Sequence, residues 1–165
     1  MVATVEICES NGAGETVTHN ISNINFGSTD APNIVVATYP INCGSNSYEK
    51  YIRVHWTSGA ANKIDNIQIW KSAGNYVTGE DEQTNLKTSS YSQVSYATPT
   101  TTTYTNVTMP TADPTTANLG IAASLSGALT AVGYSDYWKI QMATTGSSPA
   151  GDVNQKTFTI QYDEQ

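Results

Sequence analysis

The clearest pattern in the chain is an alternation of side chains over positions 47–57, which read SYEKYIRVHWT. The residues of one face are Tyr48, Lys50, Ile52, Val54 and Trp56, and those of the other are Glu49, Tyr51, Arg53, His55 and Thr57. A period of two places successive side chains on opposite faces of a strand, and Val, Ile, Tyr and Trp suit a half-buried sheet. The segment therefore predicts a β-strand with one face toward a core.

Shorter strand candidates lie on both sides of this segment. They are Thr4–Cys8, Val17–Ile21, Asn33–Thr38, Ile64–Trp70, Tyr137–Met142 and Lys156–Tyr162. Turn-forming residues at 58–62 predict that the first long strand and the strand from Ile64 form a β-hairpin. Residues 71–92 are polar and rich in loop formers, so they predict a long connection.

Together these signals predict the fold class. About eight to ten short strands with turn signals between them are typical of an antiparallel β-sandwich, immunoglobulin-like or jelly-roll-like. Only Leu119–Val132 could be helical, and its glycines limit it to at most one short helical turn. The length of 165 residues fits one domain, 1–165, with a single core.

The net charge limits the kinds of partner that we expect, and the N-terminal segment bears on where the protein is made. The formal net charge is −7 with seven basic residues, too few for the positive surface that nucleic acid requires. The start MVATVEICES has neither the basic nor the apolar region of a signal peptide. No run approaches the ~20 apolar residues of a membrane span. We therefore expect a protein made in the cytoplasm, without direct nucleic-acid or membrane binding.

Cysteines and histidines give no recognisable metal or redox motif. Cys8 and Cys43 could form one disulfide, but two separate thiols that act as small apolar residues are the favoured interpretation. His19 and His55 each lie in a strand pattern and lack the spacing of a metal-ligand pair, so structural or surface roles are expected. The sequence predicts no metal and no cofactor.

Acidic residues are the remaining candidates for chemistry. Paired carboxylates for glycoside hydrolysis could come from Glu49 and Asp65, which the predicted hairpin would bring together, from Asp136, or from the acidic cluster at 80–82. The cluster 80–82, with Asp113 and Asp152, could supply calcium ligands, although a solvated loop is the favoured interpretation. No catalytic motif such as GxSxG supports a nucleophile. We expect that the protein is not an enzyme and has no catalytic residues.

Aromatic residues raise a sugar-binding hypothesis. Trp56 and Trp138 share a face with apolar neighbours and are predicted to lie in the core. Trp70 lies opposite the Ile67 and Ile69 face, where an exposed ring could stack on a sugar. Glycan binding therefore stays open as an alternative that rests on one residue.

Three blocks resemble a known group of proteins. They are Gly44–Gly74, Gly133–Met142 and Lys156–Gln165. In this order they resemble small structural proteins of tailed bacteriophages, which are often assigned an immunoglobulin-like β-sandwich. The resemblance implies a virion component that contacts the major capsid protein or other virion proteins in a multicopy or homo-oligomeric assembly.

The leading hypothesis is therefore a capsid decoration or cement protein that stabilises the phage head. A tail or adsorption-apparatus component and a carbohydrate-binding or adhesive module are the alternatives. Edge strands and extended segments can join neighbouring subunits by strand pairing. The residues predicted to take part in assembly are Val5, Ile7, Trp70, Thr101, Thr103 and Tyr104.

Overall fold

The computed structural model describes residues 2–93, 107–151 and 154–165, and the regular structure in these residues is entirely β. The strands are β1 (Ala3–Asn11), β2 (Thr16–Thr18), β3 (Lys50–Gly59), β4 (Ile64–Ala73), β5 (Glu80–Thr88), β6 (Val107–Thr108), β7 (Ala128–Leu129), β8 (Gly133–Tyr134), β9 (Tyr137–Thr144) and β10 (Thr157–Glu164). The predicted all-β class and strand number are confirmed. Among the described residues, no helix has the length and apolar character to cross a membrane.

Two antiparallel sheets of unequal width form the molecule. The wide sheet has the order β2-β1-β3-β9-β5-β6, with β8 also paired to β3. The narrow sheet has the order β10-β4-β7. All of these pairings are antiparallel, which confirms the predicted antiparallel β-sandwich.

The core lies between the sheets and is sealed by irregular segments. Ile52 of β3 and Ile140 of β9 face Ile67 and Ile69 of β4 across it. Loop side chains complete the core where the narrow sheet does not cover the wide one, namely Met109, Leu119 and Ile121. Trp56 and Trp138 are both about 2% exposed or less, so their predicted core positions are confirmed.

The predicted hairpin between β3 and β4 is wrong. The two strands belong to different sheets, and residues 60–63 carry the chain from one layer to the other. The physical reason is that the apolar faces of both strands are buried against each other across the core. Neighbours in one hairpin would have placed those faces side by side. The backbone of Gln165 bonds to Lys63 at this crossing.

The polar segment predicted as a long connection contains a full strand, β5, within the wide sheet. It has one large apolar side chain, Leu86, but its polar residues find buried partners. The Thr84 hydroxyl donates to the Lys139 carbonyl oxygen at 2.9 Å and accepts from Trp138 Nε1 at 3.0 Å. Hydrogen bonds to a neighbouring strand therefore hold β5 in the sheet, although it lacks the alternating apolar side chains from which a strand is predicted.

The strand predicted for Asn33–Thr38 is also wrong, because this segment forms turns. The amides of Thr38 and Tyr39 both donate to the Val35 carbonyl oxygen. Only Ile34 is buried, whereas Val35 and Val36 are 63% and 45% exposed. The apolar run is thus a surface loop with a single buried anchor.

Candidate functional site

The residues predicted to take part in assembly lie in three different surroundings. Val5 and Ile7 are partly buried and pack against the core from β1. Thr101, Thr103 and Tyr104 lie outside the described residues. Trp70 is half-buried on β4, directly opposite Thr159 of β10. Of the described residues, the structure does not bring Val5 and Ile7 together with Trp70 at one surface, and the part of all six residues in assembly stays a prediction.

The longest open sheet edge belongs to β10. This eight-residue strand pairs with β4, and no second neighbour is found for it among residues 2–93, 107–151 and 154–165. Thr157 and Gln161 are exposed along it. An unpaired edge presents free backbone N–H and C=O groups, which can pair with a strand of another chain. The sequence predicted the strand but not its edge position.

A shallow groove of about 740 Å³ is lined by residues of both sheets, with Arg53 and Tyr134 from the wide sheet and Leu129 from the narrow one. The Arg53 guanidinium lies 3.9 Å from the ring centre of Tyr134 and 4.7 Å from that of Tyr137. On the other side, the His55 ring stacks on Tyr134 at 3.9 Å. Because both faces of Tyr134 are occupied, that ring is not a free platform for a sugar.

The candidate carboxylates do not form a hydrolytic pair. Glu49 Oε2 lies 2.9 Å from Lys139 Nζ, and burial raises the pKa of this carboxyl. Asp65 Oδ2 lies 2.7 Å from Lys63 Nζ in the other sheet. Asp136 accepts from the Ala123 amide at 2.8 Å. The two carboxylates of the predicted hairpin are therefore separated, because that hairpin does not form.

The acidic cluster at 80–82 is not the solvated loop that the sequence favoured. Its residues begin β5, and Glu80 and Glu82 are buried. Glu80 pairs with Lys156, whose side chain is 5% exposed, and Glu82 accepts a hydrogen bond from the Tyr76 hydroxyl at 3.0 Å. Asp113 accepts from the Thr115 amide, and Asp152 lies outside the described residues. The candidate calcium ligands that the structure describes thus have other partners.

A cluster that the sequence did not predict forms on the outer face of the wide sheet. Glu6 and Cys8 are two residues apart on β1, so they share a face, and Glu6 lies directly opposite His55 in register. His19 follows β2 and is held beside β1 because the Ile21 amide donates to the Ile7 carbonyl oxygen at 3.0 Å. One ligand atom from each of Glu6, Cys8, His19 and His55 lies within 4.8 Å of the others.

Three polar hydrogens of this cluster converge on a single oxygen, Glu6 Oε1. The Nδ1 atoms of His19 and His55 lie 2.6 Å and 2.7 Å from it. Cys8 Sγ lies 3.6 Å from the same oxygen and 3.4 Å from His19 Nδ1. A carboxylate oxygen only accepts, so each of these groups donates to it.

These contacts shift the ionisation of both β1 residues. The hydrogen bond from His55, and next that from His19, lower the pKa of Glu6. Burial, and next the negative charge of Glu6, raise the pKa of Cys8 to about 11. In the metal-free cluster Glu6 is therefore held as the carboxylate and Cys8 as the thiol.

Sequence reasoning missed this cluster because its members are distant along the chain. The available signal was that Glu6, Cys8 and His55 all fall on the outward face of predicted strands. The register between β1 and β3, which cannot be read from the sequence, brings them together. Cys8 and Cys43 are separate thiols, one buried and one exposed, as the favoured interpretation predicted.

Comparison with protein-family models, curated proteins and solved structures finds no match for this chain.

Proposed function

We propose that this protein is a structural component of a tailed-phage virion, a capsid decoration protein that stabilises the head through contacts with the major capsid protein. In this role it acts by binding and catalyses no reaction. The resemblance of the three sequence blocks suggests the class of particle. The open edge of β10 is the single observation that carries the proposed mode of binding.

The edge of β10 supports strand addition to a neighbouring subunit. It offers eight residues of backbone, with exposed side chains at Thr157, Gln161 and Asp163. In strand addition the main chain supplies the hydrogen bonds and alternate side chains supply specificity. Natural edges that avoid such pairing carry inward-pointing charges or lysines, and the middle of β10 has neither.

An exposed apolar loop supports the same mode of action. Val35 is 63% exposed, Val36 is 45% exposed and Tyr39 is 42% exposed, all within one turn-rich segment. Solvent-exposed apolar groups gain about 25 cal/mol per Å² when a partner covers them. The loop therefore offers an apolar surface that a capsid subunit could cover.

The direct test is a capsid-binding assay with purified protein and heads of the cognate phage that lack their decoration. We expect binding in many copies and a higher temperature of capsid disruption. The double substitution Thr159→Lys with Gln161→Lys places two charges on the β10 edge and should abolish binding. Its matched control, Thr111→Lys with Thr116→Lys, adds the same charge to exposed loop positions and should bind like the wild type.

Other outcomes would identify the alternatives. Binding to tail structures instead of heads would favour an adsorption-apparatus component. Binding on a glycan array that is lost in Trp70→Ala would favour a carbohydrate-binding module. Equal capsid binding by the edge variant and its control would overturn the strand-addition mode.

A further inference from the structure

We propose that Glu6, Cys8, His19 and His55 form a zinc(II) site that ties β1, β3 and the segment after β2 together on the outer face of the wide sheet. This site is independent of the capsid-decoration function. Its ligands come from three separate parts of the chain: β1 supplies Glu6 and Cys8, β3 supplies His55, and the segment after β2 supplies His19.

The chemistry of the donor set selects the ion. A thiolate, two imidazoles and a carboxylate give one sulfur, two nitrogens and one oxygen, which suits zinc and is foreign to calcium or magnesium. When the ion binds, Cys8 releases its thiol proton to solvent and each imidazole carries its proton on Nε2, which leaves Nδ1 free to coordinate. One thiolate and one carboxylate then neutralise the divalent ion. Four protein ligands without an open position are typical of a structural zinc site.

Two of the distances between ligand atoms already fit a tetrahedral zinc centre, and two others must lengthen. With bonds of about 2.0–2.3 Å, neighbouring ligand atoms lie about 3.3–3.6 Å apart. The contacts of Cys8 Sγ, at 3.4 Å to His19 Nδ1 and 3.6 Å to Glu6 Oε1, already have this spacing. The two contacts from Glu6 Oε1 to the imidazoles, at 2.6 Å and 2.7 Å, must widen by roughly 0.6–0.7 Å to reach it.

The surroundings allow an ion to enter and then hold it. Cys8 is 0% exposed and forms the inner wall, whereas the His19 side chain is 49% exposed and lies on the open side. An ion would therefore enter from the side of His19. His55 is fixed from behind by its stack on Tyr134, with the two ring planes 10° apart. A ligand that is already oriented loses less conformational freedom when the ion binds.

The test uses the tag-free full-length chain, dialysed against EDTA and titrated with zinc chloride in a calorimeter. We expect equimolar binding and a higher Tm in zinc than in EDTA, because an ion that binds the folded state alone stabilises it. Cobalt(II) chloride should give sulfur-to-cobalt charge-transfer absorption and the intense visible bands of a tetrahedral site.

Three single variants separate the site from other surface groups. Cys8→Ser should remove the charge-transfer band, and His19→Gln should weaken zinc binding by about tenfold or more. Cys43→Ser, which changes the exposed cysteine outside the cluster, is the matched control and should bind like the wild type. Because His19 is half exposed, His19→Gln should have the wild-type Tm in EDTA, which keeps the test valid if Cys8→Ser folds poorly.

Two results would overturn the proposal. One is an absence of zinc binding by the wild type at micromolar concentrations. The other is unchanged binding in His19→Gln together with a cobalt spectrum that lacks the sulfur band. Either result would leave the four residues as a hydrogen-bonded cluster centred on the Glu6 carboxylate.

Discussion

At the scale of single residues, Glu82 is a buried carboxyl with an incomplete set of partners. Tyr76 donates to Glu82 Oε2, while the buried Oε1 atom of Glu82 has no hydrogen-bond partner among the residues that the structure describes. Burial raises the pKa of Glu82, and the Tyr76 hydrogen bond and the charges of Lys156 and Lys71 only partly oppose this, while Glu80 adds to it. The folded protein therefore holds the Glu82 proton more tightly than the unfolded chain does.

The raised pKa of Glu82 predicts the effect of the substitution Glu82→Gln. When the pH rises above 4.5, the ordinary pKa of this carboxyl, the unfolded chain loses the proton before the folded protein does. The free energy of unfolding of the wild type therefore falls until the pH passes the raised pKa of the folded state. The glutamine has no proton to lose, so the variant should gain stability relative to the wild type as the pH rises above 4.5, as measured by urea unfolding.

The control for this experiment is a substitution at a second carboxyl. Glu164→Gln removes one negative charge from a half-exposed position and controls for net charge. Parallel stability curves for the wild type and Glu82→Gln across this pH range would contradict the prediction.

Residue-scale prediction from sequence works where neighbours along the strand decide the environment. Trp56 and Trp138 were predicted in the core from adjacent apolar positions, and both are there. Ala122 and Ala123 show the limit, since both have positive φ, at 52° and 62°, in a segment that the sequence assigned as possible helix. The Asp136 carboxylate, from outside that segment, accepts from the Ala123 amide and holds this conformation.

At the scale of elements, a buried ion pair joins β1 to β3. Lys50 Nζ donates to Glu9 Oε1 at 2.8 Å and to the Ala31 carbonyl oxygen at 2.6 Å. The side chains of Lys50 and Glu9 are 0% and 1% exposed. The pair also fixes the loop that contains Asp30, which accepts from Asn11. One lysine thus connects two strands and a covering segment.

Lys50→Met should therefore destabilise the fold strongly. Removing one member of a buried pair leaves an uncompensated charge on Glu9, which costs about 3–5 kcal/mol of unfolding free energy. The double variant Lys50→Met with Glu9→Leu should recover most of the loss, because it removes both charges. Chemical denaturation measures each free energy.

A surface pair provides the comparison for this experiment. The side chains of Lys63 and Asp65 are 30% and 24% exposed, so Lys63→Met should cost less than about 1 kcal/mol. Similar losses for Lys50→Met and Lys63→Met would show that burial of the first pair has no energetic consequence.

Elements with an alternating apolar face were predictable, and those held by polar contacts were not. β3, β9 and β10 follow their predicted segments closely. β5 was assigned to a loop because its buried side chains are mostly polar and their partners come from β9 and from Lys156. The pairing of β3 was also mispredicted, since short turns between strands are compatible with a hairpin or with a crossing between sheets.

At the scale of the whole molecule, the sheets are built from strands far apart in sequence. β1 pairs with β3, and Ile52 of β3 pairs with Trp138 of β9. Such non-local pairing requires long loops to close before many contacts form, which slows folding. The sequence predicted the all-β class but not this order of strands, because neither turn signals nor periodicity identifies a strand's neighbours.

We therefore expect slow refolding for a domain of this size. After dilution from urea, the fluorescence of the buried Trp56 and Trp138 should recover on the order of milliseconds to seconds or more slowly. Stopped-flow mixing measures the rate. Complete recovery within microseconds would contradict the non-local topology.

The two cysteines differ in exposure, so thiol labelling can distinguish folded chains from denatured ones. Cys43 is open to reagents, while Cys8 is enclosed beneath its neighbours on the wide sheet. A maleimide dye would thus attach once to each native chain and twice to each denatured one. Mass spectrometry of a labelled sample would then give the fraction of chains that are correctly folded, before any binding assay begins.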